Sequence, residues 1–211
     1  LSRLVGSEMC IRDRSKALKR DMEVALCQNT AKNAGNATTA RQTRSFEAWI
    51  TTNKSRGTGG ADGSASAAAT DAATGNRRAL TEALLKGVLQ SMFTNGAEPK
   101  MAIAGPVNKG VISGFTGRAN TRQNVSADTV SASISVYASD FGELQIVPSN
   151  RSRDRSLLLV DPEYAKVAYL RNFQTMDIAK IGDADTKMIL AEYGLEMSNE
   201  AAHGIVADLT A

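Results

Sequence analysis

Apolar residues recur at helical spacing in three stretches of the chain and at strand spacing in several others. From Ser15 to about Lys32, Leu18, Met22, Ala25 and Leu26 form a one-sided stripe that runs on to Thr30, with Lys16, Lys19, Arg20 and Glu23 mostly elsewhere, which predicts a long amphipathic helix. Asn33-Ala34-Gly35-Asn36 tolerates positive φ and is expected to stop it. Phe46, Trp49 and Ile50 come next at helical spacing. Leu80, Leu84, Leu85, Val88, Leu89 and Met92 make the strongest helical pattern, which Asn95-Gly96 closes.

Strand patterns lie between and after these helices. Lys100 to Ala104 reads as a short strand, and Gly105-Pro106 opens a helix carrying Val107, Val111 and Ile112, with proline in the favoured first turn. Val130, Ala132, Ile134 and Val136 alternate with polar residues from Thr129 to Tyr137, the mark of a half-buried strand, after a polar loop-like stretch at 117–128. Phe141-Gly142 turns the chain into Leu144–Val147, and the wholly apolar Leu157–Val160 is expected to lie beside it in one sheet. Asp161-Pro162-Glu163 has the make-up of a helix start, so a helix with Tyr164, Val167, Ala168 and Leu170 is expected. The tail, from Met188 to Met197 and again from Ile205 to Leu209, reads as two strands joined in a hairpin. The class is α+β, with no fixed-period repeat.

Residues 53–76 are almost all small, so a mobile loop or crossing between subdomains is expected there. Residues 1–14 differ in character from the rest of the chain: the run Val5 to Asp13 resembles translated sequencing-adapter text, which makes Cys10 non-native and the true N-terminal part missing.

The chain has 211 residues, 42% hydrophobic but only 5% aromatic, enough for one medium domain or two small subdomains built on aliphatic packing. Its longest aliphatic run falls far short of the roughly 20 residues that cross a bilayer, and no secretory signal is evident. Cys10 and Cys27 fit no zinc spacing or disulfide framework and are expected as free thiols. The glycosylation triplets at Asn36, Asn124 and Asn150 are chance matches in that setting. Net charge is +3, unevenly spread: residues 1–60 carry 11 Lys/Arg against 5 Asp/Glu, and residues 183–211 carry 1 against 6. Such poles suit head-to-tail association of copies; equally, folding can bring the two ends together.

Candidate chemistry is sparse. His203 is the sole histidine, and no G-x-S-x-G elbow accompanies it, so a packing role is expected. Gly57-Thr58-Gly59-Gly60 lacks the strand, helix and Gly-Lys-Ser/Thr ending of a phosphate loop, and Gly105 with Gly110 fails the same pattern. Asp183 with Asp185 reads as a turn, with unspecific metal binding as the other reading. Arg151, Arg153 and Arg155 alternate with Ser152, Asp154 and Ser156, so in an extended segment they project to one side. That row is a candidate contact to DNA phosphate or to a neighbouring subunit's carboxylates, and a solvated basic edge is the plainer alternative.

From about Lys16 onward the chain resembles the major capsid proteins of tailed bacteriophages. The resemblance is carried by the helix Lys16–Asn29, by Phe46 to Asn53, by Lys100-Met101-Ala102-Ile103-Ala104-Gly105-Pro106-Val107-Asn108-Lys109, by Asp140-Phe141-Gly142-Glu143-Leu144, and by Tyr169-Leu170-Arg171 leading to a hairpin at Gly182 to Leu195. It implies a peripheral domain, with a long spine helix and a β-hairpin, at 15–60 and 173–211, a crossing at 61–76 and an axial α/β domain at 77–172. The N-terminal arm and the extended hairpin that precede the spine helix in that family have no counterpart in this sequence. It further implies a non-enzymatic subunit without cofactor or membrane partner, self-assembling into pentamers and hexamers of an icosahedral shell. Scaffold, portal and decoration proteins and non-specifically held DNA are the implied partners, with assembly in the host cytoplasm and residence in the virion. The alternatives are a basic nucleic-acid-binding module and an enzyme using the glycine-rich loop for a nucleotide.

Overall fold

The computed structural model describes residues 2–115, 135–182 and 184–210. Its centre is the strand the sequence makes wholly apolar. β5 (Leu157–Val160) is buried at all four positions because both faces of its sheet are covered. Leu157 and Leu159 face one core with α3 (Glu82–Thr94) and α4 (Pro106–Ser113), where Leu85, Leu89, Met92 and Ile112 are fully buried. Leu158 and Val160 face a second core formed with Leu26 of α1 (Ser2–Cys27) and with Phe46 and Ile50 in and after α2 (Phe46–Trp49).

The sheet has six strands. β1 (Asn53–Ser55) lies at one edge, followed by β8 (Gly204–Val206), β5, β2 (Met101–Ala104), β4 (Gly142–Pro148) and β3 (Val136–Ser139). The pairs β1–β8 and β2–β4 are parallel and the rest antiparallel. α3 begins as expected from its pattern: the Thr81 side chain accepts the N–H of Leu84, and Gly96 at φ 78 lies just past its end. Pro106 opens α4, again as expected.

Between the adjacent strands β5 and β8 the chain leaves the sheet as a long two-stranded hairpin, β6 (Ala165–Ile181) and β7 (Ala184–Met197), turning through Gly182 at φ 83. α1 packs on β7, and the Nζ of Lys19 sits 5.7 Å from the centre of the Phe173 ring. Ala165, Tyr193, Leu195 and Met197 anchor the base of the hairpin on the second core.

Several expectations are corrected. No helix follows Asp161. Its Oδ1 accepts the N–H of Glu163 at 3.0 Å and its carbonyl accepts that of Tyr164, making a turn that leads straight into β6. Helix caps and Asx turns share that local bond, and only the Val- and aromatic-rich run beyond it distinguishes strand from helix. The two tail strands do not pair with each other: β7 joins β6, while β8 inserts between β1 and β5. The long helix ends at Cys27, short of Lys32, and extends upstream to Ser2, through the stretch 1–14 whose character differs. After it, Asn33 bridges Gln42, and Asn36 Oδ1 accepts the N–H groups of Thr38 and Thr39, so local side-chain bonds replace further turns of helix.

The small-residue stretch 53–76 is packed rather than free. It contributes β1, and Gly57, Gly63, Ala69 and Ala72 are buried. Small side chains here permit close approach: a Cβ on Gly63 would lie 2.7 Å from the backbone of Ala48. Asp208, at φ 59, accepts the N–H of Gly57 at 2.9 Å and that of Ala72 at 2.7 Å, tying the stretch to the residues after β8. The boundary expected at 172/173 falls inside β6. The loop expected at 117–128 and most of the alternating stretch 129–137 lie outside the described residues, β3 beginning at Val136.

Candidate functional site

The three arginines singled out in the sequence sit in a run of turns between β4 and β5 rather than in an extended strand, so they do not form a single row. Arg153 turns inward, with its side chain only 13% exposed: Nη1 lies 2.9 Å from Oε2 of Glu47, and Nη2 bonds Asp71. Arg155 reaches the same Asp71 oxygen at 3.0 Å but keeps 42% of its side chain exposed. Arg151 is half-buried and its carbonyl accepts Nε2 of Gln28 at 2.6 Å, joining this turn to the end of α1.

These bonds belong to a larger charge network that sequence spacing did not reveal. Glu47, on α2, is fully buried and receives Ser156 Oγ at 3.0 Å, with Arg56 3.9 Å from its other oxygen. Arg56 also bonds Asp62 at 2.8 Å, which Lys54 pairs as well. Burial pushes the Glu47 carboxyl up, against the opposing pull of Arg153, Arg56 and Ser156. Burial also raises Asp71, but its bonds to Arg155 and Arg153 outweigh it, and the carboxyl sits below its ordinary value. The network binds α2, the 54–72 stretch and the turn before β5, segments more than 80 residues apart in pairs such as Arg153 and Asp71. The sole signal in the sequence was Glu47 amid Phe46, Trp49 and Ile50, an acid placed within an apolar cluster.

The basic front and acidic tail of the chain come near each other at Arg41 with Glu192 and at Arg44 with Glu200. Arg41 lies close enough to Glu192 to help lower its pKa, after the larger effect of Arg171. Glu200 accepts the backbone N–H groups of Thr51 and Thr52 and the Thr52 hydroxyl; burial raises its pKa, yet these bonds leave it below its ordinary value. Folding thus accounts for at least part of the charge asymmetry.

His203 is fully buried, its Nδ1 accepting the N–H of Asp161 at 3.2 Å and its ring meeting Phe46 edge-on; burial lowers its pKa. Cys27 is buried and its thiol is pushed up to about 11 by burial and then by Glu23, which disfavours the thiolate. A cleft of about 720 Å³ lies between the 30–43 segment and the hairpin, lined by Thr30, Arg41, Thr43, Tyr169, Glu192 and Tyr193 among others. Among the described residues no group of three His, Cys, Asp or Glu side chains could hold a metal ion, and no helix is long and apolar enough to cross a membrane. Asp183 and the side chain of Asp185 lie outside the described residues.

No curated protein matches the sequence. Among solved structures, the crystal structure of a virus-like particle from Pyrococcus furiosus is similar over 61% of this chain and 52% of that chain, at 12% sequence identity and a TM-score of 0.38. The chain thus spans about half the length of that particle protein. The family model for the SU10 major capsid protein matches residues 9–210, nearly the whole sequence. The chain belongs to the SU10 major capsid protein family.

Proposed function

We propose that the chain is a shell-building subunit whose copies close into five- and six-membered rings of an icosahedral bacteriophage head around DNA. The observation that carries this reading is the family match across residues 9–210. The arrangement supports it: a long helix packed on a projecting hairpin shares one core with the six-stranded sheet, whose other face is covered by α3 and α4, and the edges of this unit can meet those of other copies. In this reading α1 and the β6–β7 hairpin belong to the peripheral domain, and most of the sheet to the axial domain around the local symmetry axis.

The role is structural and needs no catalytic group or cofactor. Arg155, the more open of the paired arginines, is the residue of the original row best placed to touch a neighbour's carboxylate or packaged DNA, and Arg151 and Arg153 hold the turn that presents it. Contact with DNA is diffuse and weakens with salt. Scaffold, portal and decoration proteins are further partners, met in the host cytoplasm before the finished head. A dedicated nucleic-acid-binding module finds less support, because Arg153 and Arg155 already face Asp71.

Negative-stain microscopy and sedimentation of the full-length protein test this reading. Rings or shells are the expected result; a persistent monomer at high concentration overturns it. Salt-titrated DNA binding separates the alternative: weak, uniform binding fits the shell, and tight sequence-selective binding does not.

A further inference from the structure

The sheet and the hairpin join through a narrow neck. β5 and β8 pair as far as Leu159 and Gly204, β6 and β7 start from the pair Ala165 and Met197, and the connections 161–164 and 198–203 cross between them. Two of the bonds that close this neck are the Ser198 N–H donating to the Tyr164 carbonyl at 2.9 Å and the Asp161 N–H donating to Nδ1 of His203 at 3.2 Å. The His203 ring is fully buried and meets Phe46 edge-on. Its backbone is fixed on both sides: the N–H donates to the Glu200 carbonyl, and the carbonyl accepts Nδ2 of Asn53, each at 3.0 Å. The imidazole therefore reaches water only when the neck opens.

An imidazole accepts at Nδ1 only while that nitrogen carries no proton. Imidazolium presents N–H at both nitrogens, so Nδ1–H would face the Asp161 N–H, donor against donor. The charged groups facing the ring are the carboxylates of Asp161 and Glu200, with Lys100 beyond, 3.8 Å from Oδ1 of Asp161. Both carboxylates are already engaged, Glu200 by the N–H groups of Thr51 and Thr52 and Asp161 by that of Glu163. Burial holds the ring neutral against the pull of the Tyr164 carbonyl and of those two acids. We propose that His203 is an acid-sensitive latch at the neck of the hairpin: a proton taken up at Nδ1 expels the Asp161 N–H and opens the 161–164 and 198–203 connections, while the six-stranded sheet stays closed. The latch goes beyond the shell-building reading and does not depend on it. Ala165, Tyr193, Leu195 and Met197 keep the hairpin base on the second core, so opening loosens the root of the hairpin without detaching it. With the neck closed the ring takes a proton less readily than in water, and with the neck open it regains its ordinary value of about 6.5. Opening is therefore favoured as pH falls below about 6.5, by about tenfold per pH unit until the closed value is reached.

Hydrogen–deuterium exchange of the full-length protein, read by mass spectrometry at pH 7.5 and pH 5.5 and corrected for the intrinsic exchange rate, tests the latch. Peptides across the two connections are expected to lose protection several-fold at the lower pH, with about tenfold as the ceiling, while the α3 peptide keeps its protection. His203→Gln supplies a carboxamide oxygen that accepts a hydrogen bond and does not titrate, so its neck should be equally protected at both pH values. Unchanged protection of the native neck overturns the latch. So does an equal loss in His203→Gln, which means that another group titrates, or a loss in α3 by the same factor, which means that the whole lobe loosens. Where His203→Gln fails to fold, the native neck compared with native α3 decides alone. Failure of the latch leaves the shell reading in place, since no outcome here depends on rings or shells.

Discussion

Glu47 and Arg153, 106 positions apart in the chain, meet at 2.9 Å with side chains 1% and 13% exposed. A carboxylate taken so far out of water is tolerable because Arg153, Arg56 and Ser156 converge on it. Arg153→Met leaves that acid buried with its nearest cation gone, and is expected to cost about 3–5 kcal/mol in urea unfolding. The double variant Glu47→Met with Arg153→Met recovers most of the loss, since two apolar side chains of similar size need no counter-charge. A double variant as weak as the single would mean that the network acts through its remaining members.

Acid is expected to weaken the fold through three named groups. Asp71 and Glu200 have folded pKa values below their ordinary ones. Their contribution is therefore complete above the unfolded carboxylate range of about 4 and is lost as pH falls through the folded values. His203, lowered by burial, acts in the same sense, its contribution being complete above about 6.5 and lost below its folded value. Glu47 acts oppositely: raised by burial, it adds stability as pH drops through its folded value toward the ordinary one. Urea midpoints measured from pH 7 to pH 3 should fall at the acid end, less steeply for Glu200→Gln, and Glu47→Gln should remove the opposing rise.

Asp208→Ala removes the acceptor for the buried N–H groups of Gly57 and Ala72 together. At about 1–3 kcal/mol for each orphaned donor, a loss of ~2–6 kcal/mol is expected in thermal or urea unfolding. Asp208→Asn keeps one acceptor and tolerates the positive φ, so it should lose about half as much.

Two glycines should respond in opposite directions to alanine. Gly63→Ala drives a methyl into the Ala48 backbone and is expected to cost ~1–3 kcal/mol. Gly87→Ala, inside α3 with open space at its Cβ, should stabilise by about 1 kcal/mol, read as a higher urea midpoint.

How much the sequence disclosed depends on where its information is local. α3 and α4 were legible because their caps and stripes lie within a few residues, whereas Leu157–Val160 was legible as a strand but not in its neighbour: it was expected beside Leu144–Val147, and β2 lies between the two. The hairpin strand β6 was misread from Asp161-Pro162-Glu163, whose turn chemistry serves a strand as well as a helix. β8 was recognised as a strand but given the wrong neighbour, because three residues carry no record of their partners 151 positions away in β1. The same limit hid the ion network: Arg153 looked like an exposed row member until the fold delivered Glu47 and Asp71 to it.

The position of β8 bears on the timing of the molecule's own production. Gly204–Val206 fill the slot between β1 and β5, so those two neighbours have no finished platform until nearly the whole of this stretch has left the ribosome. Native joining of residues so distant is slow. The six-stranded sheet therefore closes only once β8, 151 residues beyond its partner β1, has been made.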